Sequence, residues 1–452
     1  MSLDRSQISA LGRFLTIVCV IVLTGPQLLQ AQTANDLGNR LQAAATLIRD
    51  DRLAEAERQL LGILKSNSNQ ADALNLLGAV RAKQRRWEEA EKLFSRAIRA
   101  NGTLISARMN LVQLYLIQHQ AEKAISELNQ VLRLQPENSE AFDRLSSLLL
   151  SEKRFDEFIN LIERDENARP LSFSSRLALA EAYLEKRDAG KAEKNFRLAL
   201  EQQSDDADAI LGLAQVAFLR GDTASASSYL DRAKKSPIKS AETLQKFGLV
   251  AFQAGRYEEA NLALSEAVKL KPDDPGLHVA LGTTWLKKPD LVEAEQSFRR
   301  ALQLQSDNAQ AQMYLGYTLM LQGQHSEARQ MLEKSLAKQP AVPQIHYYLG
   351  LISQDQGDDQ TAVQLFRKTL QLLPSFKDVH VALGRSYLNL KDYPQAQAQL
   401  ELAIKLNPND GQAHYQLAVL YARLKDPQRS QQHMQIVERL KEAANPTKTP
   451  TP

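Results

Sequence analysis

Cysteine is nearly absent from this 452-residue chain: Cys19 stands alone. That excludes an intramolecular disulfide and a cysteine-based zinc site. A charge excess is missing too, since 56 Lys and Arg against 53 Asp and Glu leave +3. No polybasic surface is therefore forced on the chain, and nucleic acid is not an expected partner. No apolar run reaches the roughly twenty residues that a membrane-spanning helix needs. The sequence also lacks Gly-x-Gly-x-x-Gly, a phosphate-binding loop, Gly-x-Ser-x-Gly, His-Glu-x-x-His and Cys-x-x-Cys. These absences argue for a non-enzymatic protein with no catalytic residues, no cofactor, no metal and no small-molecule substrate. What is present is ordinary for a folded soluble chain, 43% hydrophobic and 24% charged.

The first thirty residues read as an address. Arg5 and Arg13 precede the apolar run Phe14 to Leu23, Gly25-Pro26 breaks it, and small residues follow at Ala31 and Ala34. A basic start, a short apolar core and a small-residue exit describe a secretory signal peptide over 1–31, cleaved after Ala31. Leu29 at the −3 place meets the small-residue rule only by half. The alternative is retention as an inner-membrane anchor, which would be the only link to a membrane. Cys19 lies inside the apolar run after Val18, which argues against a lipoprotein cleavage site.

The remainder is one unit repeated. Arg86-Trp87-Glu88-Glu89-Ala90 nearly matches Arg256-Tyr257-Glu258-Glu259-Ala260, 170 residues on, or five times 34. Stepping by 34 from Leu37 gives starts at 37, 71, 105, 139, 173, 207, 241, 275, 309, 343, 377 and 411, with no insertion or deletion. The eighth residue is Gly78, Gly248, Gly282, Gly316, Gly350 or Gly384 in six units, and Ala44, Ala180, Ala214 or Ala418 in four. The twentieth is alanine in ten, and the thirty-second is Pro136, Pro170, Pro272, Pro340, Pro374 or Pro408 in six. Apolar residues recur at helical spacing in two stretches per unit, as in Leu244-Phe247-Ala251 and Ala260-Leu264-Ala267. Each unit is thus expected to be two antiparallel helices that approach closely at the small residues, with proline stopping the second.

Residues 37–444 resemble the tetratricopeptide repeat family. The Leu-Gly pair, the tyrosine three places on (Tyr115, Tyr183, Tyr387, Tyr421), the alanine, the Phe or Leu four later (Phe94, Phe196, Phe298, Phe366) and the closing proline carry the likeness. The resemblance implies an all-α, right-handed superhelical solenoid of about twelve helix-turn-helix repeats, first helices lining a concave groove. The tail from 445 to 452 is polar and proline-rich and is expected to be disordered.

Two units break the pattern. In the fourth, Ser146 replaces glycine, Phe158 replaces the packing alanine and Asp165 stands at an apolar place. A phenylalanine there should overpack the hairpin, so Phe158→Ala should cost little. The consequence is either a local repacking with no function or a bend at Arg169-Pro170-Leu171-Ser172. In the twelfth, Ser430 replaces alanine, and Gln431, Gln432 and Gln435 make a polar last helix, as a terminal cap requires.

Three further patterns imitate chemistry. His278, His346, His380 and His414 occupy the fourth place of their units. Equivalent places on successive repeats are about 10 Å apart, so they cannot converge on one ion at about 2.1 Å. They are expected to stand in for an amphipathic aromatic residue. Arg81, Lys83, Arg85 and Arg86 look basic, but Glu88, Glu89 and Glu91 follow at once, as helix dipoles favour. Asn101-Gly-Thr103 matches a glycosylation acceptor at chance level.

The resemblance places the groove at the second, fifth, ninth, twelfth and thirteenth residues of each unit. Leu41 and Ala45 in the first unit exclude the family's carboxylate clamp, and of its asparagine ladder only Asn110 is present. The candidate protein-binding residues are Met313, Tyr317, Tyr347, Leu351, Val381, Arg385 and Tyr415, types enriched at interfaces. The expected function is a scaffold for protein or peptide partners, exported to a bacterial periplasm and serving assembly of envelope machinery. The alternatives are a membrane-anchored assembly factor, or an accessory subunit recruiting substrates to a separate enzyme such as a glycosyltransferase.

Overall fold

A computed structural model describes residues 30–166, 170–238 and 240–444. The signal-peptide and tail expectations fall outside these residues, except that Gln30 and Ala31 already belong to the first helix. Among the described residues there are twenty-four helices and no strand. The chain divides between Gln202 and Gln203 into two compact bodies.

The first body holds five hairpins: α1 (Gln30–Arg49) with α2 (Leu53–Ser66), α3 (Ala71–Lys83) with α4 (Trp87–Ala100), α5 (Ile105–Ile117) with α6 (Ala121–Leu134), α7 (Ser139–Ser151) with α8 (Phe155–Glu166), and α9 (Phe173–Glu185) with α10 (Ala189–Gln202). The second holds seven: α11 (Ala207–Leu219) with α12 (Thr223–Ala233), α13 (Ala241–Gln253) with α14 (Tyr257–Leu270), α15 (Pro275–Lys287) with α16 (Leu291–Leu304), α17 (Ala309–Leu321) with α18 (His325–Lys338), α19 (Pro343–Asp355) with α20 (Asp359–Leu372), α21 (Val379–Asn389) with α22 (Tyr393–Leu406), and α23 (Gly411–Arg423) with α24 (Pro427–Ala444).

Small residues set the spacing inside each hairpin. A Cβ added to Gly282 would lie 2.5 Å from the Phe298 ring, and one on Gly248 would lie 2.6 Å from Leu264. The missing methyl therefore makes room for the large residue sixteen places on. The alanines Ala56, Ala90, Ala124, Ala192, Ala226, Ala260, Ala294, Ala328, Ala362 and Ala396 are all fully buried. Burying a side chain of Phe or Leu size contributes about 1.5–3 kcal/mol, so each repeat's ring or leucine is a principal term.

The turn between the two helices is equally regular. The fifteenth residue of each repeat has positive φ, from Asp51 through Arg85, Gly255 and Pro289 to Lys425. The sixteenth starts the second helix in one of two ways, except at Gln120 and Gln324, whose side chains make no capping hydrogen bond. Asp222, Asp290, Asp358 and Asp392 accept a hydrogen bond from the free backbone N–H three residues on. Arg52, Arg86, Arg154 and Arg256 instead pair with the glutamate three residues on. The Asp222 and Asp358 carboxyls are held below the ordinary range by the hydrogen bonds of Ser225 and Thr361.

The irregular fourth repeat is spread, as its sequence leads one to expect, and its phenylalanine is fully accommodated. Phe158 is 1% exposed and ranks with the largest fully buried side chains, beside buried Ile159 and Ile162. Its ring fills the interior, and α7 and α8 approach each other less closely than the helices of any other hairpin, as a ring at an alanine contact predicts. Helix α9 is tied back to α8 by Tyr183 Oη donating to Glu163 and by Lys186 to Asp156 at 2.8 Å. The division of the chain falls one repeat beyond Arg169–Ser172. The Asp165 side chain and Arg169 lie outside the described residues. The cost of the irregularity shows at Ser146, whose Oγ is buried with no hydrogen-bond partner.

Candidate protein-binding face

Helices α17 and α19 present tyrosine because their fifth and ninth residues fall on one face, one turn apart. Tyr317 from α17 stacks on Tyr348 from α19, with centroids 4.5 Å apart and planes at 28°. Tyr348 touches Tyr347 at 5.9 Å, and Tyr347 leans on Phe376 at 5.0 Å and Phe366 at 5.9 Å. Tyr314 stacks on Phe298 at 5.5 Å. A continuous line of rings thus joins α17 to α19 and to the loop before α21. Burial, more than the charge of Asp378, pushes the Tyr347 phenol up to about 12, and burial pushes Tyr348 higher still. Both hydroxyls stay neutral and serve as hydrogen-bonding tips.

The candidates do not share one setting. Met313 packs partly buried on the core of α16 to α19, while Tyr347 and Leu351 pack on the core of α20 to α23. Val381 is half-buried. Arg385 is exposed, with Asp355 of α19 at 4.0 Å. Tyr415 is 44% exposed and lines a cleft of about 690 Å³ with Asn407, Gln412, Val437, Leu440 and Lys441. The structure therefore joins Tyr317 and Tyr347 through Tyr348 and sets Tyr415 against α24. Tyr348 and Phe376 were missed from sequence. The Tyr347-Tyr348 doublet was the available signal, because adjacent helix positions splay by 100° and can hold one ring to each neighbouring helix. Gln354 bridges α19 to α21 through the Ala382 carbonyl at 2.8 Å and Ser386 Oγ at 2.7 Å, which fixes the two helices together.

In the first body the same helical face carries amides. Asn110 donates to Asn75 Oδ1 at 2.8 Å, Asn75 donates to Ser106 Oγ at 3.2 Å, and Arg144 donates to Gln113 at 3.1 Å. Asn110 is thus engaged within the fold.

Three of the fourth-place histidines use their polar ring edge as an anchor. His278, His346 and His414 set Nε2 on the carbonyls of Pro272, Pro340 and Pro408, six residues earlier, at 2.8, 3.2 and 3.0 Å. Gln312 and Arg108 reach the equivalent carbonyls of Ser306 and Gly102. The place calls for a donor that anchors the first helix to the preceding loop, a demand that ring size alone does not express. Among the described residues no group of three or more His, Cys, Asp or Glu is placed to hold a metal ion.

The basic patch is likewise internal. Arg81 grips Glu57 at 2.6 Å and meets Glu89 at 3.2 Å, and Lys83 reaches Asp51 at 3.2 Å. Its cations pair across helices, beyond what helix dipoles require. Asn101 accepts from Thr103 N at 3.1 Å and from Thr103 Oγ1 at 2.8 Å, so Asn101-Gly-Thr103 is a turn. No helix among the described residues is long and apolar enough to cross a membrane.

Helical hairpins of constant length, joined by left-handed turns and closed on glycine and alanine, define an all-α repeat solenoid protein. Family models agree. Tetratricopeptide repeat models match residues 41–104, 81–148 and 354–420, and the Cytochrome c-type biogenesis protein H TPR domain matches 261–380, together more than half the chain. The model for Anaphase-promoting complex, cyclosome, subunit 3 matches 185–267. The chain belongs to the tetratricopeptide repeat family.

Two curated proteins are similar to it. Cellulose synthase operon protein C of Pseudomonas fluorescens (strain SBW25) is 26% identical over 247 residues, covering 53% of this chain and 17% of that one. A putative cellulose synthase operon protein C of Escherichia coli O157:H7 is 29% identical over 176 residues, covering 37% and 15%. The chain spans about a sixth of the length of these relatives. Among solved structures, the human IFIT1 dimer with PPP-AAAA has a TM-score of 0.48 at 16% identity, covering 87% of this chain and 95% of that one. The APC/C hetero-tetramer Cut9-Hcn1 has a TM-score of 0.44 at 17% identity, covering 90% and 93%.

Proposed function

We propose that this protein is an exported, non-enzymatic scaffold that binds partner segments on the first-helix face of α17 to α23 and serves the assembly of envelope machinery. The observation that carries the reading is the aromatic line Tyr317–Tyr348–Tyr347, continued by Arg385 on α21. Tyrosine offers a large rigid face with little entropy to lose, and arginine can grip a carboxylate or stack on a ring. Leu321, 47% exposed at the end of α17, extends the apolar part of the face. Tyr347 is held on Phe366 and Phe376, while Arg385 and Tyr415 are exposed and Tyr317 is half-buried, so these three keep surface to offer a partner. The signal-like start at Arg5 to Ala31 supports export.

The test is capture of partners from an envelope fraction by the wild-type protein and by a Tyr317→Ala/Arg385→Ala double variant. A control carries changes at Glu333 and Lys334, exposed on α18. Loss of a partner in the double variant alone, with helicity intact by circular dichroism, supports the face. Undiminished capture removes it and moves attention to α3–α7.

A second reading has its own support in the two curated relatives, both cellulose synthase operon proteins. On that reading the scaffold recruits components to a polysaccharide-making or polysaccharide-exporting assembly. Co-purification of a glycosyltransferase would favour it.

A further inference from the structure

In several repeats the fourth and twenty-third residues form a polar pair across the hairpin. Arg108 meets Glu127 at 2.8 Å, Arg176 meets Asn195 at 3.2 Å, and His380 meets Gln399 at 2.8 Å. In the α23–α24 hairpin both members are imidazoles, and His414 Nδ1 lies 2.9 Å from His433 Nδ1.

The partners fix the tautomers. His414 is 4% exposed and its Nε2 is 3.0 Å from the Pro408 carbonyl oxygen. A carbonyl only accepts, so Nε2 carries the hydrogen and neutral His414 offers a lone pair at Nδ1. His433 Nδ1–H must then be the donor. One proton can still join the pair, on His433 Nε2, with that hydrogen bond kept. A second would have to sit on His414 Nδ1, hydrogen against hydrogen, with two charged rings whose centroids are 5.2 Å apart. The surrounding groups leave this conflict in place. Tyr421 of α23 stacks on His433 at 5.6 Å, Arg429 of α24 lies 4.3 Å over Tyr421, and Glu401 of α22 favours the charged His433 ring.

We propose that the His414–His433 pair is a proton-sensitive clasp for α24, closed while the pair holds at most one proton and opened when both rings are charged. Burial, and then the neighbouring His414, hold His433 below the usual histidine range. The sign follows from linkage. An open hairpin takes up two protons below about pH 6.5, and the closed one takes up fewer, so closure is complete above that pH and weakens as pH falls below it. Val437, Leu440 and Lys441 of α24 wall the cleft at Tyr415, so opening would dismantle that cleft.

Amide hydrogen exchange on the full chain in EDTA, at pH 7.5 and 5.0 and corrected for intrinsic rates, tests this. The acid-induced loss of protection in wild-type α24 should exceed that in α22 by about tenfold, the equivalent of one pKa unit. His433→Gln, which copies the His380–Gln399 pair, should abolish that excess. Gln399→His should create the same sensitivity in α22. Equal acid responses of α24 in wild type and His433→Gln overturn the proposal, as does an unchanged wild-type α24. If His433→Gln leaves α24 unprotected at both pH values, Gln399→His decides, and an acid-insensitive α22 overturns the proposal.

Discussion

The first-helix faces of the two bodies are made of different chemistry on the same backbone plan. On α3 to α7, Asn75, Ser106, Asn110, Gln113 and Arg144 spend their polar groups on one another. On α17 and α19, Tyr317, Tyr347 and Tyr348 present rings, and burial keeps the hydroxyls of Tyr347 and Tyr348 neutral. A satisfied amide network holds neighbouring repeats in register and leaves little for a partner to gain, since any new hydrogen bond must replace one already made. A line of rings gains by being covered, because apolar surface leaves water. One period of 34 residues therefore supports a stretch linked by its own amides and a stretch that presents rings, and the choice lies in a few positions of each first helix.

The largest effect that sharpens this contrast lies inside the hairpins. Phe158→Ala in the first body should destabilise by about 3–5 kcal/mol, because it removes a fully buried ring from between helices that have parted to hold it. Ala260→Phe in the second should cost roughly 1–3 kcal/mol by overpacking a fully buried contact. Urea denaturation followed by circular dichroism ranks the two. The reverse order would mean that Phe158 strains the fourth repeat after all.

Next comes the comparison of faces itself. For a captured partner, the Tyr317→Ala/Arg385→Ala variant should lose about 2 kcal/mol or more of binding, the usual scale of a hot spot. Asn110→Ala should leave that affinity unchanged, since Asn110 is committed to Asn75. Calorimetric titration with the purified partner gives both numbers. Equal losses would erase the distinction between the bodies.

A smaller effect concerns the turns. Pro289 holds φ at +23° at a place where four repeats use glycine. A pyrrolidine ring favours φ near −65°, so the α15–α16 turn is strained. Pro289→Gly should raise stability by about 1–2 kcal/mol. Lys425, also at positive φ in the α23–α24 turn, offers no ring to relax. Lys425→Gly should therefore gain less, and a thermal melt of each variant checks the order.

Much of this architecture was legible because it is local. The 34-residue period, the hairpins and the closing small residues follow from spacings that one helix or one turn enforces. Tyr317 and Tyr347 were found the same way, from their place in the repeat. Tyr348 was not, because its importance comes from a ring on the preceding first helix, and Phe376 lies in a loop that periodicity does not describe. The histidines at the fourth place were seen, but their loop carbonyls were not, and neither was the His433 partner nineteen residues away. Phe158 was legible as a residue that spreads its hairpin, because a ring at an alanine contact denies the two helices their close approach. The basic cluster was legible as balanced by Glu89, but its other partner was not, since Glu57 stands 24 residues before Arg81.

The smallest predicted effect tests whether the fourth repeat carries a correctable fault. Ser146 takes the place that glycine or alanine holds in ten repeats, and its hydroxyl is buried with no partner. A buried hydroxyl without a hydrogen bond costs on the order of 1–3 kcal/mol relative to one that water can reach. Alanine removes the oxygen and keeps the Cβ, and Ala44, Ala180, Ala214 and Ala418 show that a methyl fits at this place. Ser146→Ala should thus stabilise the protein by about 1 kcal/mol, and Ser146→Gly by less, because a mid-helix glycine gives back about 1 kcal/mol of helix propensity. In the second body no such gain exists at Gly282, where a methyl would meet the Phe298 ring at 2.5 Å, so Gly282→Ala should destabilise. Urea midpoints of the three variants settle the matter. A loss of stability in Ser146→Ala would mean that the hydroxyl has found a partner, such as an ordered water bridging α7 to α8, and that the fourth repeat is as well satisfied as its neighbours.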